Sequence, residues 1–194
     1  MLAPVRISAP VATPVSVSEA KAHLRVDDTN SDTLIQSMID AAVAHLDGWA
    51  GILGRCLVTQ SWRQDYPAFA SRLRLPLGPV ATISSITYYD ADNASQTLAS
   101  AVYTHLTDAT GTYVTLKPDQ EWPATYRRPE AVSITYVAGT SATDVPAAIK
   151  QAILLLVGAW YENREETVIG TIAAQLPDSV AVRALLAPYR KVGV

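Results

Sequence analysis

Trp160-Tyr-Glu-Asn-Arg-Glu-Glu166 gathers side chains that catalysis would need: three carboxylates, an amide and a guanidinium beside two aromatic rings. On a helix, Glu162 and Glu166 are neighbours, Tyr161 stacks on Glu165, and Arg164 lies beside Trp160. Paired carboxylates run acid–base chemistry when burial drives their pKa values apart. These instead end an uncharged apolar run, 152–161, with no histidine close in sequence. The pattern reads as a helix end leaving a packed core for solvent or a partner, with Arg164 over Trp160 as a cation–π contact. It is a rim rather than a reaction centre, and an enzyme using Glu162, Glu166 and Tyr161 is the reading it displaces.

The remaining reactive residues are scattered. His23, His45 and His105 fall in a short helix, a long helix and a strand, without the HxxxH or Cys/His spacing of a metal site. Asp90-Ala-Asp-Asn93 begins like a calcium loop, but Ser95 and Ala101 stand where that loop needs its glycine and its bidentate glutamate. It reads as a turn. No GxSxG, GxxxxGK[ST] or GxGxxG occurs, so nucleophile-elbow and phosphate-cradle signatures are absent and no cofactor is expected. Asp27-Asp28 reads as a solvated helix boundary, and one basic doublet, Arg127-Arg128, makes no phosphate-binding track. Cys56 is the single cysteine, so it forms no intrachain disulfide and reads as a small buried hydrophobe.

Charge is sparse, 17% of residues with a net of −3, which argues against a dedicated nucleic-acid binder and leaves surface for a partner to cover. The N-terminus has no continuous apolar core of a signal peptide, and the run 152–161 is about half a membrane span. The chain reads as soluble and intracellular.

These residues must be positioned by an α+β chain: helices, a β insertion, then helices again. Residues 1–15, with Pro4, Pro10 and Pro14, predict an extended arm. Ser16 and Glu19 fit a capping box for a short helix that ends near Asp27-Asp28. From a cap at Asn30 or Ser31, apolar residues at Leu34, Ile35, Met38, Ile39, Ala42, Val43, Leu46, Trp49 and Leu53 predict a long amphipathic helix, closed by Gly51 and Gly54. The period then becomes two. Val58, Gln60, Trp62, Gln64 and Tyr66 share one face of a strand at 57–66, and further strands are predicted at 80–89, 102–106, 113–116 and 132–138. They form an antiparallel sheet or a small barrel, and prolines keep 121–129 out of it as a loop. Pro146 opens a helix whose stripe is Ile149, Ile153, Leu156, Val157 and Trp160; Leu154, Leu155 and Tyr161 widen it almost all the way round. Neither helical end can satisfy its stripe alone, so the two are expected to pack together. A mobile linker at 167–179 leads to a short amphipathic helix at 180–189, in composition a docking arm that orders on binding. The organisation is thus an arm at 1–15, a helical core from 16–56 and 145–194, and a β insertion at 57–144.

The order of SVSEAKAHLRVDD, DTLIQSMIDAAVAHLDGWAG, GRCLVTQSWRQ, LRLPLGPVATISSITYYD, EWPATYRRPEAVSITYVAG, VPAAIKQAILLLVGAWYENREE and ALLAPYR resembles the head–tail connector (adaptor) proteins of long-tailed bacteriophages and prophages, in the form with a β insertion, over 16–190. The resemblance implies a structural protein without enzymatic activity, assembled in the bacterial cytoplasm and resident at the neck of a virion. Copies would form a ring, typically of twelve, on the portal protein, extending the channel that DNA passes as cargo and offering a platform to a stopper or other tail protein. It places portal contacts at Leu185, Leu186, Pro188, Tyr189 and Arg190. The ring or partner contact is sought at Trp160, Tyr161, Glu162, Arg164 and Glu165, with the long helix and the β insertion as further places. Another neck component, a stopper or tail-completion protein, is the alternative. Phage, prophage and gene-transfer particles are all compatible.

Overall fold

Val58, Gln60, Trp62, Gln64 and Tyr66 alternate along one segment, and all five are buried, as a strand with one face on a core requires. In the computed structural model of the chain, residues 2–163 and 180–191 are described. They divide into a sheet unit, 2–11 with 58–140, and a helical unit, 12–57 with 141–163 and 180–191.

The sheet unit holds eight strands: β1 (Val5–Ser8), β2 (Gln60–Tyr66), β3 (Leu73–Arg74), β4 (Val80–Tyr89), β5 (Ser95–Thr97), β6 (Tyr103–Asp108), β7 (Gly111–Leu116) and β8 (Val132–Ala138). A five-stranded sheet has the order β1-β2-β8-β4-β5 and a three-stranded one β3-β7-β6, every pair antiparallel. Both are open, so of the two arrangements expected it is the sheet, and not the small barrel, that forms. Central β8 buries Val132, Ile134, Tyr136 and Ala138, with Tyr136 opposite Trp62 and Ile134 opposite Ile86. On the β2 face Trp62 Nε1 donates to Gln60 Oε1 (3.1 Å) and Gln64 Nε2 to the Leu2 carbonyl (2.7 Å). At the end of β8, Gly139 has φ +100, and a Cβ there would strike the backbone of Val58 and Thr59.

Within the N-terminal segment read as an arm, Val5–Ser8 lies between Pro4 and Pro10, keeps its amides and pairs with β2; prolines outside the paired stretch suit an edge strand. β5 follows a turn in which the Asp90 carboxylate accepts the amides of Asp92 (3.1 Å) and Ala94 (2.9 Å). The 121–129 loop is held by side chains. The Trp122 ring stacks on Phe69 at 4.6 Å, its Nε1 donates to the Ala70 carbonyl (3.0 Å), and Arg128 lies 3.8 Å over the Tyr89 ring.

The helical unit contains α1 (Val17–Leu24), α2 (Asp32–Leu46), α3 (Ala147–Glu162) and α4 (Val180–Leu186), the last continued by a 3-10 turn, Ala187–Tyr189. The capping box forms: Glu19 N donates to Ser16 Oγ (3.2 Å) and Ser16 N to the Glu19 carboxylate (2.7 Å). α1 stops at Leu24, earlier than the Asp27-Asp28 boundary, because Arg25 takes a left-handed conformation, φ 57. α2 buries Ile35, Ile39, Ala42 and Leu46, α3 buries Ile149, Ala152, Ile153, Leu156 and Val157, and the two helices pack on each other.

α2 also stops short of the helix expected through Leu53. Asp47 is extended, and its carboxylate accepts the Leu57 amide at 2.6 Å. Gly48 follows at φ 77 and donates to the Arg55 carbonyl. Trp49 therefore leaves the buried stripe and is 50% exposed, whereas Leu53 returns to the core. The linker read at 167–179 lies outside the described residues.

Candidate functional site

Two candidate surfaces lie in the helical unit, and the packing of α3 on α2 sets where. At the C-terminal end of α3, the Tyr161 hydroxyl is 3.3 Å from Ser31 Oγ, at the residue that opens α2. Trp160 and Tyr161 are half-buried while Glu162 and Asn163 are exposed. Asn163 satisfies the helix end twice: its backbone N–H (3.1 Å) and its side-chain amide (3.0 Å) both donate to the Ala159 carbonyl. Of the rim residues, Tyr161 is thus brought to the start of α2, with Trp160 and Glu162 beside it in the chain; Arg164, Glu165 and Glu166 lie outside the described residues, and with them the Arg164–Trp160 contact.

The second surface is the C-terminal segment. α4 packs on α3 and buries Val182 and Leu186. Leu185 and Tyr189 are half-buried, and Pro188 and Arg190 exposed. The segment ends against the loop that follows α2: Lys191 N donates to the Leu53 carbonyl (3.0 Å), and Ile52 N and Leu53 N in turn donate to the carbonyls of His45 (3.0 Å) and Leu46 (3.3 Å). Of the five residues expected to meet a partner, Leu186 is spent on the core of its own unit; Pro188 and Arg190 face outward. The same loop exposes Trp49 and Ile52. These two were missed as contact candidates because the apolar period was carried past Asp47-Gly48, a turn dipeptide that signals the helix end.

The rim and the C-terminal segment therefore meet opposite ends of α2. With fifteen residues at 1.5 Å each, α2 separates its ends by about 22 Å.

The largest perturbed titrations lie elsewhere, in the sheet unit. The Asp108 carboxyl is held well below the usual carboxylate range by hydrogen bonds from Arg74, with Thr110 adding to the effect. Burial pushes the Tyr66 hydroxyl far up, and it donates to the Arg74 carbonyl. Both groups knit strands together. Asp108 takes Arg74 in a bidentate pair (2.9 and 2.8 Å), and Arg72 and Arg74 flank the Tyr113 ring. Among the described residues, no three His, Cys, Asp or Glu side chains are grouped to hold a metal ion, and no helix is long and apolar enough to cross a membrane. Cys56 is buried.

No curated protein matches the chain. Three solved structures share its fold across 100% of this chain and 97% of theirs: the neck of an empty gene transfer agent (GTA) particle computed with C6 symmetry (TM-score 0.76, 24% identity), the virion of a native GTA particle (0.73, 24%), and the neck of a native GTA particle computed with C12 symmetry (0.69, 23%). The family model of head completion proteins matches residues 14–192. With that match spanning nearly its whole length, the chain belongs to the head completion protein family.

Proposed function

We propose that the chain is a structural head–tail connector, assembled as a ring at the neck of a tailed phage or phage-like particle, where it joins the portal to the next neck protein and extends the DNA channel. The observation that carries this reading is the placement of the two candidate surfaces at opposite ends of α2, since a joining piece must hold one partner at each end. Membership of the head completion family supports it, and so does a fold shared with proteins of GTA necks. Ring symmetry in those necks, C6 and C12, supports a ring of this chain, with twelve copies as the natural number. The C-terminal segment is the portal side: Leu186 anchors α4 while Leu185, Pro188, Tyr189 and Arg190 offer the contact. The α3 end, with Trp160, Tyr161 and Glu162, faces a neighbouring copy or the next neck protein.

Co-sedimentation with the portal oligomer of the same particle, full-length chain against a version ending at Asp178, tests this. Binding by the full chain alone is expected. Binding by both moves the portal contact into the body. Binding by neither, with an intact portal, refutes the portal-docked connector in favour of a stopper or tail-completion protein further down the neck.

A further inference from the structure

The five-stranded sheet has two open edges, and they differ in charge. At one lies β1, with all four residues exposed, including Arg6. Beside it Arg63 of β2, opposite Val5, keeps 42% of its side chain exposed even though it pairs with Asp65 at 3.0 Å. At the other edge lies β5, also exposed throughout, preceded by the turn that carries Asp90 and Asp92. Asp90 is occupied within its own hairpin, accepting from Asp92 N, Ala94 N and Gln96 Nε2. Asp92 is exposed. Among the described residues, each edge leaves a row of backbone N–H and C=O groups without a strand beside it. The β1 edge also shows aliphatic surface, with Val5 43% and Ile7 53% exposed.

Direction selects the partner. Every neighbouring pair in the order β1-β2-β8-β4-β5 is antiparallel, so β1 and β5 run the same way. A second copy in the same orientation brings its β5 beside β1 as a parallel strand. That contact joins two different patches of one chain, the heterologous kind that closes a ring of more than two copies. A β1–β1 contact is isologous and stops at a dimer.

We infer that the joint between copies is the parallel pairing of β1 of one copy with β5 of the next, with Arg6 facing the Asp92 turn of that neighbour. This rests on the ring reading above. The incoming hairpin covers Val5 and Ile7 and satisfies both open edges. Because the paired stretch is short and parallel ladders are the weaker kind per residue, each joint is weak alone and holds through ring closure and the portal template.

The test is analytical ultracentrifugation of the full-length chain, alone and with the portal oligomer, with circular dichroism confirming that each variant is folded. Arg6→Glu and Asp92→Lys should each weaken association by about tenfold, the scale of an exposed ion pair broken and then reversed, and the double variant should restore it. Ile7→Cys with Gln96→Cys, oxidised, should give a ladder of cross-linked multimers, and neither single variant should. Dimers from Ile7→Cys alone would show β1 pairing with itself and overturn the inference. Rings without a ladder would overturn the joint and leave the connector standing. If the wild-type chain forms no oligomer, alone or on the portal, both fall.

Discussion

Leu186→Ala separates what anchors the C-terminal segment from what it presents. Leu186 is 2% exposed and Val182 6%, both on a helix of seven residues that is too short to persist without packing. Burying these two side chains contributes about 1.5–3 kcal/mol each, and the Lys191–Leu53 hydrogen bond about 1 kcal/mol more. Ordering the segment's backbone costs about 1–2 kcal/mol per residue before its helical hydrogen bonds are counted, so α4 is held by a small net free energy. Truncation of a buried leucine removes about 2–5 kcal/mol, enough to release α4. Release also caps the loss, because α1, α2 and α3 keep their shared core once the segment has left. Leu186→Ala should therefore abolish hydrogen-exchange protection of the 180–191 amides, leave that of α2 and α3 unchanged, and lower Tm less than Ile153→Ala, whose side chain is fully buried in α3. A Tm drop equal to that of Ile153→Ala, with 180–191 still protected, would refute the reasoning and make α4 part of the global cooperative unit. Arg190→Ala, on an exposed side chain, should weaken portal co-sedimentation with Tm unchanged.

Acid should destabilise the protein in a defined window. Hydrogen bonds from Arg74 to Asp108, from Arg128 to Glu130, from the Ser16 amide to Glu19 and from Gln96 to Asp90 hold these carboxyls below their ordinary values in the folded chain. The unfolded chain then binds protons first as pH falls, so their stabilisation is complete above about pH 5 and is lost progressively through and below about pH 4. Asp108→Asn should flatten part of that fall in urea midpoints and lower stability at neutral pH; an unchanged pH slope would sink the assignment. Gly139→Ala forces a side chain into φ +100 with Thr59 N only 2.8 Å from the new Cβ, and should cost about 2 kcal/mol or more from backbone strain and displacement; a denaturant midpoint within error of wild type would contradict it.

Local chemistry was legible in the sequence wherever one segment carried its own instructions. Ser16 and Glu19 satisfy each other's amides, and β4 and β8 run over the residues that alternation and β-branching marked, 80–89 and 132–138. That Gln60 and Gln64 share a face with Trp62 and Tyr66 also followed from period alone, since residues two apart lie on one side whatever their polarity; that this face is the buried one came from the structure. Two short elements escaped for want of length: β3 and β5 have two and three residues, too few to show a period. The end of α2 was readable at Asp47-Gly48, but the apolar spacing through Trp49 and Leu53 outvoted it.

Periodicity told that the two helical ends must pack together, but not which strands pair or which end of an element meets which. That Val5–Ser8 joins β2, that Leu186 is taken by the core while Arg190 stays outside, and that the α3 end and the C-terminal segment fall at opposite ends of α2 are consequences of long-range pairing. Sequence fixes the faces of each element, because side-chain direction is local to the backbone. Tertiary structure alone decides which faces are consumed within the unit and which are left for a partner, because that depends on contacts between residues as far apart as Ser31 and Tyr161.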